Sequence, residues 1–405
     1  MKDRQYVSSG ATSEQREKFV DVAEILEAVE LMGVNHCGGR RREPAHSAVG
    51  SIDNATRGEP AMTDPLPGSE EWLSSVDEPV LEPDLPIVDP HHHLWPVGVH
   101  GGFPYGMDDL HGDVGSGHRI EQTVFMECGA GYDPDAAKEF ASVGETRFVA
   151  NVARNDPSGL ISGIVARADL RLSNLDAVLD AHEAAGEGLL RGIRDALSRA
   201  EFPEVHMIAG RAPEGLSRDE SFRRGVRRLG ERGLTYDTWH YHYQNGEFIE
   251  LARAIPETTM VLDHFGTPLG VGPYAPQRES IFEQWRADIT ELAKCENVVV
   301  KLGGLAMPDN GFGWHAATRP PTSDEFVAAQ ARYYHHTIEA FGPERAMFES
   351  NFPVDRMSVS YRVLWNAFKK LTVSFSASER AAMFAGTARR VYRVASPGLE
   401  RVEQD

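Results

Sequence analysis

The sequence predicts a (β/α)8 TIM barrel, because short apolar segments alternate with longer helical patterns over roughly 310 residues. A doubly wound open sheet is the structural alternative, and it is disfavoured because no Gly-x-Gly-x-x-Gly pattern follows the first strand. The eight candidate strands are Ile87–His93, Gln122–Glu127, Ile161–Ala166, Leu189–Arg194, Leu234–His240, Thr259–His264, Val298–Leu302 and Ala346–Glu349.

Helical patterns fill the intervals between these strands. A further apolar piece, Phe148–Ala153, has a strand-like pattern and would add one strand to the count. Three long connections follow strand ends, where barrel enzymes build their active sites. They are Pro96–Arg119, Ala196–Leu216 and Gly303–Thr322. The predicted helices are Leu175–Ala185, Asp219–Arg232, Phe248–Ala254, Glu279–Ala293, Asp324–Phe341, Val359–Leu371 and Ala377–Val391.

The first eighty residues differ in composition from the rest. One helix-like apolar stripe runs from Ser13 to Met32, and a stretch rich in Gly, Arg, Ser and Pro follows Gly33. Such a stretch cannot bury enough apolar surface to fold by itself. We therefore predict a poorly ordered N-terminal extension with one helix at 1–80, the barrel at 81–397 and a short tail at 398–405.

Charge and hydropathy restrict the partners of the protein. The formal net charge of -20 argues against nucleic acid, which needs a basic surface. No apolar run reaches the roughly 18 residues of a membrane span, and no signal peptide opens the chain. The three cysteines are too widely spaced for a thiolate metal cluster. We predict a cytoplasmic protein that acts on a small molecule. Whether it assembles into a homo-oligomer stays open.

The first candidate site motif, Val88–Trp95, reads VDPHHHLW at the end of the first strand. Residues two apart on a strand point to one face, so His91 and His93 should project together and His92 should oppose them. Two imidazoles on one side of a strand end form half of a zinc-type site. A histidine cluster in a loop is the alternative, which the apolar strand before the triplet disfavours.

Two further motifs lie at the ends of later strands. His264 ends an apolar strand and is followed by Gly266 in the turn, although a histidine in this position can equally be a core residue. The segment Met347–Asp355 reads MFESNFPVD and ends a strand in a polar cluster. Its Asn351 and Asp355 could present a base or a ligand, or they could cap the turn.

These motifs resemble the amidohydrolase superfamily, in particular its branch of barrels that contains sugar-acid and 2-pyrone-4,6-dicarboxylate lactonases. The resemblance covers about residues 85–395, with the motifs in the order of the strands. The matching segments are Val88–Trp95, Val124–Cys128, Gly163–Ala166, Asp169–Leu170, Leu190–Arg194, Trp239–His242, Leu262–Gly266, Val300–Gly304 and Glu349–Asp355.

The resemblance implies a set of functional residues. A divalent metal, zinc or manganese, would be bound by His91, His93 and His264, although some lactonases of this branch work without a metal. His264 is also a catalytic candidate, together with His242 at the rim after the fifth strand. Arg194 would bind a substrate carboxylate. The remaining expected substrate contacts are Glu127, Trp239, Lys301 and His315.

The chain departs from the superfamily at the end of the eighth strand. An aspartate usually stands there, and it binds metal and takes the proton of the attacking water. Here the position is Asn351, with Asp355 four residues later. An amide does not accept a proton near neutral pH. Either Asp355 takes that proton, or the metal or a histidine activates the water alone.

The expected function is hydrolysis of a lactone or a related carbonyl ester of a small carboxylated substrate. Two alternatives remain open. A related branch of the superfamily decarboxylates aromatic or enol acids at a similar pair of histidines. A catalytically silent barrel that binds a ligand or a metal is the second alternative, suggested by Asn351 at the position of the base.

Overall fold

The computed structural model of the protein describes residues 65–97 and 103–396. Eight parallel strands alternate with helices there, so the predicted (β/α)8 barrel is confirmed. The predicted helix between Ser13 and Met32 and the predicted tail lie outside the described residues. The strands are β1 (Ile87–His92), β2 (Ile120–Met126), β3 (Ile161–Ala166), β4 (Leu190–Arg194), β5 (Thr235–Thr238), β6 (Met260–Leu262), β7 (Val298–Leu302) and β8 (Ala346–Phe348).

The strands pair in sequence order, and the chain after β8 returns to the end of β1. The backbone N–H of Asn351 donates to the carbonyl oxygen of His91 at 3.0 Å, and that of His93 donates to Phe352 at 2.7 Å. These two hydrogen bonds bring the residues that follow β8 next to the histidines of β1. The carboxyl ends of all the strands therefore meet at one rim, where barrel enzymes place their chemistry.

Helices surround the strands, and the predicted extra strand at Phe148–Ala153 is wrong. That segment lies within a helix, with Glu145, Thr146, Val149 and Ala150 buried at helical spacing. The helices are α1 (Glu70–Ser74), α2 (Met107–Val114), α3 (Val143–Asn155), α4 (Leu175–Gly186), α5 (Glu220–Glu231), α6 (Asn245–Ala254), α7 (Arg278–Leu292), α8 (Ser323–Phe341), α9 (Tyr361–Leu371), α10 (Ala377–Ala381) and α11 (Thr387–Tyr392).

Part of the segment that precedes β1 packs on the barrel. Trp72 of α1 is fully buried, and its indole N–H donates to the carbonyl oxygen of Ala317 at 3.0 Å. Glu78 accepts hydrogen bonds from the backbone and the hydroxyl of Ser323 at the start of α8. Residues 65–80, which we assigned to the extension, thus contact the barrel, and the boundary at residue 80 stays a prediction.

Apolar side chains fill the barrel below its catalytic rim. Members of this group come from β1, β2, β3, β6, β7 and β8 and pack against the last helix of the chain. The group consists of Val88, Val124, Met126, Val165, Val261, Val299, Met347, Ala385, Ala388, Val391, Tyr392 and Val394.

No helix within residues 65–97 and 103–396 is both long and apolar enough to cross a membrane.

Candidate active site

The two outer histidines of the triplet on β1 face each other. Their Nε2 atoms are 3.3 Å apart, whereas His92 contacts the hydroxyl of Thr123 with its own Nε2. The prediction that His91 and His93 share a face is confirmed. Nδ1 of His93 lies 2.8 Å from the carbonyl oxygen of Met126, which can only accept. Nδ1 therefore carries the proton, and Nε2 of neutral His93 presents a lone pair.

Glu349, the residue that follows β8, joins His91 to His264. Its Oε2 lies 2.6 Å from Nδ1 of His91, and its Oε1 lies 2.7 Å from Nδ1 of His264. Because a carboxylate accepts, His264 donates from Nδ1 and keeps Nε2 for another partner, whereas His91 and Glu349 form a close contact without hydrogen-bond geometry. Glu349 belongs to the motif at the end of the eighth strand, but no role was predicted for it. The available signal was an acidic side chain at the end of an apolar strand.

Two cations lie against a buried aspartate beside these histidines. Nζ of Lys301 is 3.0 Å from Oδ1 of Asp263 and 3.4 Å from Oδ2 of Asp237. Arg194 contacts Oδ2 of Asp263 at 3.2 Å and Oε1 of Glu127 at 2.7 Å. Burial opposes the ionisation of Asp263, but Lys301 and Arg194 outweigh it and hold its pKa below the usual value. Neither aspartate was among the predicted site residues.

Apart from Asp237, the contacts above connect eight polar side chains into one group, which we call the central cluster. Burial lowers the pKa values of His91 and His93 well below the usual value, so both rings stay neutral at physiological pH. Neutral imidazole is the form that binds metals. The central cluster consists of His91, His93, Glu127, Arg194, Asp263, His264, Lys301 and Glu349.

The cluster has the donors that a divalent ion needs. His91, Asp263 and His264 offer ligand atoms that lie within 4.8 Å of one another. The Nε2 lone pairs of His91 and His93 also converge, with no proton of their own between them. A cation would satisfy both nitrogens, as the guanidinium of Arg194 partly does at 3.4 Å from Nε2 of His91. The residues therefore fit a metal ion, and the position it would take beside Nε2 of His91 is the one that the guanidinium of Arg194 occupies in the structure.

Three predicted site residues lie apart from the central cluster. Nδ1 of His242 accepts from the backbone of Leu269 at 3.3 Å, and burial lowers the pKa of His242 to about 4. Half-buried Trp239 packs edge-on against Tyr241, and His315 lies on a short helical turn after β7. In the part of the chain that the structure describes, no hydrogen bond or ion pair joins these residues to the cluster.

Asn351 and Asp355 form a buried pair beside the cluster. The Asn351 amide donates to Oδ1 of Asp355 at 3.0 Å, and the backbone N–H of Ala306 donates to Oδ2 at 3.3 Å. Burial raises the pKa of Asp355 to about 7, although positive charge on nearby His264 acts in the opposite direction. Asp355 thus changes charge near neutral pH, while its oxygens already have donors.

We expect Asp355→Asn to stabilise the protein at pH 8. The folded pKa of about 7 lies above the usual aspartate value of about 3.9, so the folded state holds this proton more tightly and loses stability as pH rises from about 4 to above 7. Asparagine needs no ionisation, and a flipped Asn351 amide can accept its hydrogen bond. Each pKa unit is worth about 1.4 kcal/mol, so the gain is up to ~4 kcal/mol.

Denaturant unfolding at pH 8 and pH 5 measures this gain. The difference between the variant and the parent should shrink at pH 5, because Asp355 is then protonated in the folded parent. Asp176→Asn, at an exposed carboxylate, is the matched control. An Asp355→Asn variant that is less stable than the parent at pH 8 would contradict the expectation.

The comparisons with known proteins agree with this architecture. A family model described as Amidohydrolase matches residues 88–394, which include all eight strands except the first residue of β1. The chain therefore belongs to the amidohydrolase family, and the resemblance noted in the sequence is confirmed.

Relatives extend over the same region. An uncharacterized protein of Sinorhizobium fredii, y4mH, is 35% identical over 77% of this chain and 99% of its own length. The L-fucono-1,5-lactonase of Burkholderia multivorans is 30% identical over 45% of this chain and 60% of its own length. A crystal structure of a Burkholderia multivorans amidohydrolase with bound zinc is 25% identical, with a TM-score of 0.59 over 76% of this chain and 99% of that one.

Proposed function

We propose that the protein hydrolyses a lactone or a related carbonyl ester of a small carboxylated compound. One observation carries the proposal, namely that Glu349 accepts from Nδ1 of His264 at 2.7 Å while its other oxygen lies 2.6 Å from Nδ1 of His91. An imidazole held at Nδ1 by a carboxylate has Nε2 available as a proton acceptor, which is how many hydrolases activate an oxygen nucleophile. The similarity to the L-fucono-1,5-lactonase supports a lactone as the substrate.

In the proposed reaction His264 takes a proton from water while the water oxygen bonds to the lactone carbonyl carbon. The ring C–O bond then breaks, and the same proton passes from His264 to the leaving alkoxide. Glu349 stabilises the imidazolium between these two steps. Asp355 adds a second negative charge once it is ionised, so activity should rise with pH through about 7. In this scheme His264, and not Asp355, accepts the proton of the attacking water. The negative charge of Asp355 stabilises the protonated form of His264.

The cations of the cluster take different parts in the proposal. Arg194, beside Nε2 of His91, stabilises the negative charge that develops on the carbonyl oxygen or binds a substrate carboxylate. Lys301 has no exposed surface, so we assign it the neutralisation of Asp237 and Asp263 in place of a substrate contact. Partly exposed Glu127 remains a proposed substrate contact, as do Trp239 and His315 in the loops, and His242 remains a proposed catalytic residue.

The proposal includes a bound divalent ion, with zinc preferred over manganese. His91 and His93 would hold it, with Asp263 as a further oxygen ligand, while His264, the third predicted ligand, keeps Nε2 for proton transfer in this scheme. Such an ion would lower the pKa of bound water toward about 7 and would polarise a carbonyl. The zinc-bound structure of a similar amidohydrolase supports this choice of metal.

Purified protein should open L-fucono-1,5-lactone or 2-pyrone-4,6-dicarboxylate in H2(18)O, and one label should enter the carboxylate product. His264→Gln should lower the rate by about 10²–10⁴-fold, as loss of a general base does. His111→Gln, at a partly exposed histidine paired with Asp156, should leave the rate unchanged. The assay is repeated after chelation and after zinc is restored, because a metal-dependent enzyme loses and regains activity.

The same assay separates the alternatives. Release of CO2 from a phenolic acid, without opening of any lactone, would identify a decarboxylase. Binding of zinc or lactone without turnover would identify a silent barrel. Either outcome contradicts the proposed hydrolysis.

A further inference from the structure

The chain adopts a left-handed turn at the point where it leaves β6. Four consecutive residues have positive φ, with values of 54° at His264, 58° at Phe265, 67° at Gly266 and 37° at Thr267. Only the glycine adopts this conformation without steric cost, and Thr267 is β-branched, which makes the cost larger. Such strain persists only where the surrounding structure enforces it, and it is common at functional sites.

Trp285 of α7 holds the middle of this turn. Its indole N–H donates to the carbonyl oxygen of Phe265 at 2.6 Å, and both side chains are fully buried. The Phe265 ring packs edge-on against Tyr334 at 4.8 Å between centroids. Since right-handed values of φ would rotate this carbonyl away from the indole, the hydrogen bond selects the left-handed turn.

The turn also places the imidazole of His264 on Glu349. The Glu349 carboxylate accepts from the backbone N–H of His264 at 3.3 Å and from its Nδ1 at 2.7 Å. Both donors belong to His264, the first residue of the turn. The direction in which its imidazole points therefore depends on the positive φ of that residue. The chain after Phe265 closes the turn through the N–H of Thr267, which donates to the carbonyl oxygen of His264 at 2.8 Å.

We propose that Trp285 is a positioning residue for His264. Its N–H keeps the left-handed turn in place from the outer ring of helices, and the turn aims the imidazole at Glu349. Within the described residues, the ring of Trp285 packs against Phe265, Phe282, Tyr333 and His336. None of these four residues belongs to the central cluster, so Trp285 acts on His264 through the turn. The catalytic consequence rests on the proposed function, whereas the placement of His264 does not.

Trp285→Phe tests the proposal, because it keeps an aromatic ring and removes the N–H. The matched control is Trp72→Phe, which removes an indole N–H from a fully buried tryptophan that donates to a backbone carbonyl oxygen elsewhere. With L-fucono-1,5-lactone, kcat should fall at least tenfold in Trp285→Phe while KM stays within about twofold. The control should keep both constants within about twofold of the parent.

A second measurement does not depend on turnover. The Nδ1–H proton of His264 is observed by NMR of protein labelled with 15N-histidine and assigned with His264→Gln. It should shift upfield or disappear in Trp285→Phe and stay in place in the control. If the Phe variant fails to fold, benzothienylalanine at position 285 replaces the indole N–H by sulfur at nearly constant shape.

The outcomes are separable. An unshifted His264 proton in either Trp285 variant would overturn the proposal, and so would a kcat equal to that of the control. If the proton shifts in Trp285→Phe but the parent protein itself opens no lactone, the positioning role is supported and the proposed function is rejected.

Discussion

Replacement of Glu349 by glutamine is expected to lower kcat/KM for lactone hydrolysis by about 10³-fold. One carboxylate accepts from Nδ1 of His264 at 2.7 Å and lies 2.6 Å from Nδ1 of His91. Glutamine has one accepting oxygen and one donating nitrogen, so it can satisfy only one imidazole and opposes the other. The second ring then loses both its orientation and the negative charge that stabilises its protonated form.

Initial rates with the lactone, measured across pH 6–9, check this expectation, and zinc content is determined for each preparation. Glu121→Gln is the matched control, because Glu121 is an ion-paired carboxylate near the start of β2, at the opposite end of the barrel. The control should keep its activity within about twofold. A Glu349→Gln variant that retained a tenth of the parent activity would exclude Glu349 as the group that orients the base.

The strand order of the barrel could be predicted from the sequence because each strand is marked by a local apolar pattern. Ile161–Ala166 and Val298–Leu302 were predicted with the bounds that the structure has, whereas β5 and β6 are shorter than expected. Their predicted ends, His240 and His264, lie in turns after the strands. The error at Phe148–Ala153 has a similar source, since a short apolar run does not distinguish a strand from the buried face of a helix.

The partners within the site were harder to predict than its members. The alternation of side chains on β1 was enough to place His91 and His93 together. Glu349 reaches His91 only because β8 closes next to β1, which is a property of the whole barrel. Lys301 was expected at the substrate, but it lies in the buried interior between two aspartates. Depth along a strand is not encoded in the alternation of its residues.

Gly304→Ala is expected to abolish most of the activity through a steric effect on His264. Gly304 has φ of +73°, and a Cβ there would lie 2.3 Å from Nδ1 of His264 and 2.6 Å from its Cγ. These atoms cannot stay in place, and Nδ1 is the atom that donates to Glu349. A displacement of about 1 Å at a catalytic group costs on the order of 10²-fold in rate.

Gly342→Ala separates this steric effect from backbone strain. Gly342 has φ of +79°, nearly the value at Gly304, but no atom lies within 4 Å of the position that its Cβ would take. Both variants should lose about 1–3 kcal/mol of folding free energy, because both force alanine to a positive φ that side chains other than glycine rarely adopt. Only Gly304→Ala should also lose activity, as measured by kcat/KM alongside denaturant unfolding. Equal loss of activity in the two variants would mean that global stability, and not the placement of His264, limits the reaction.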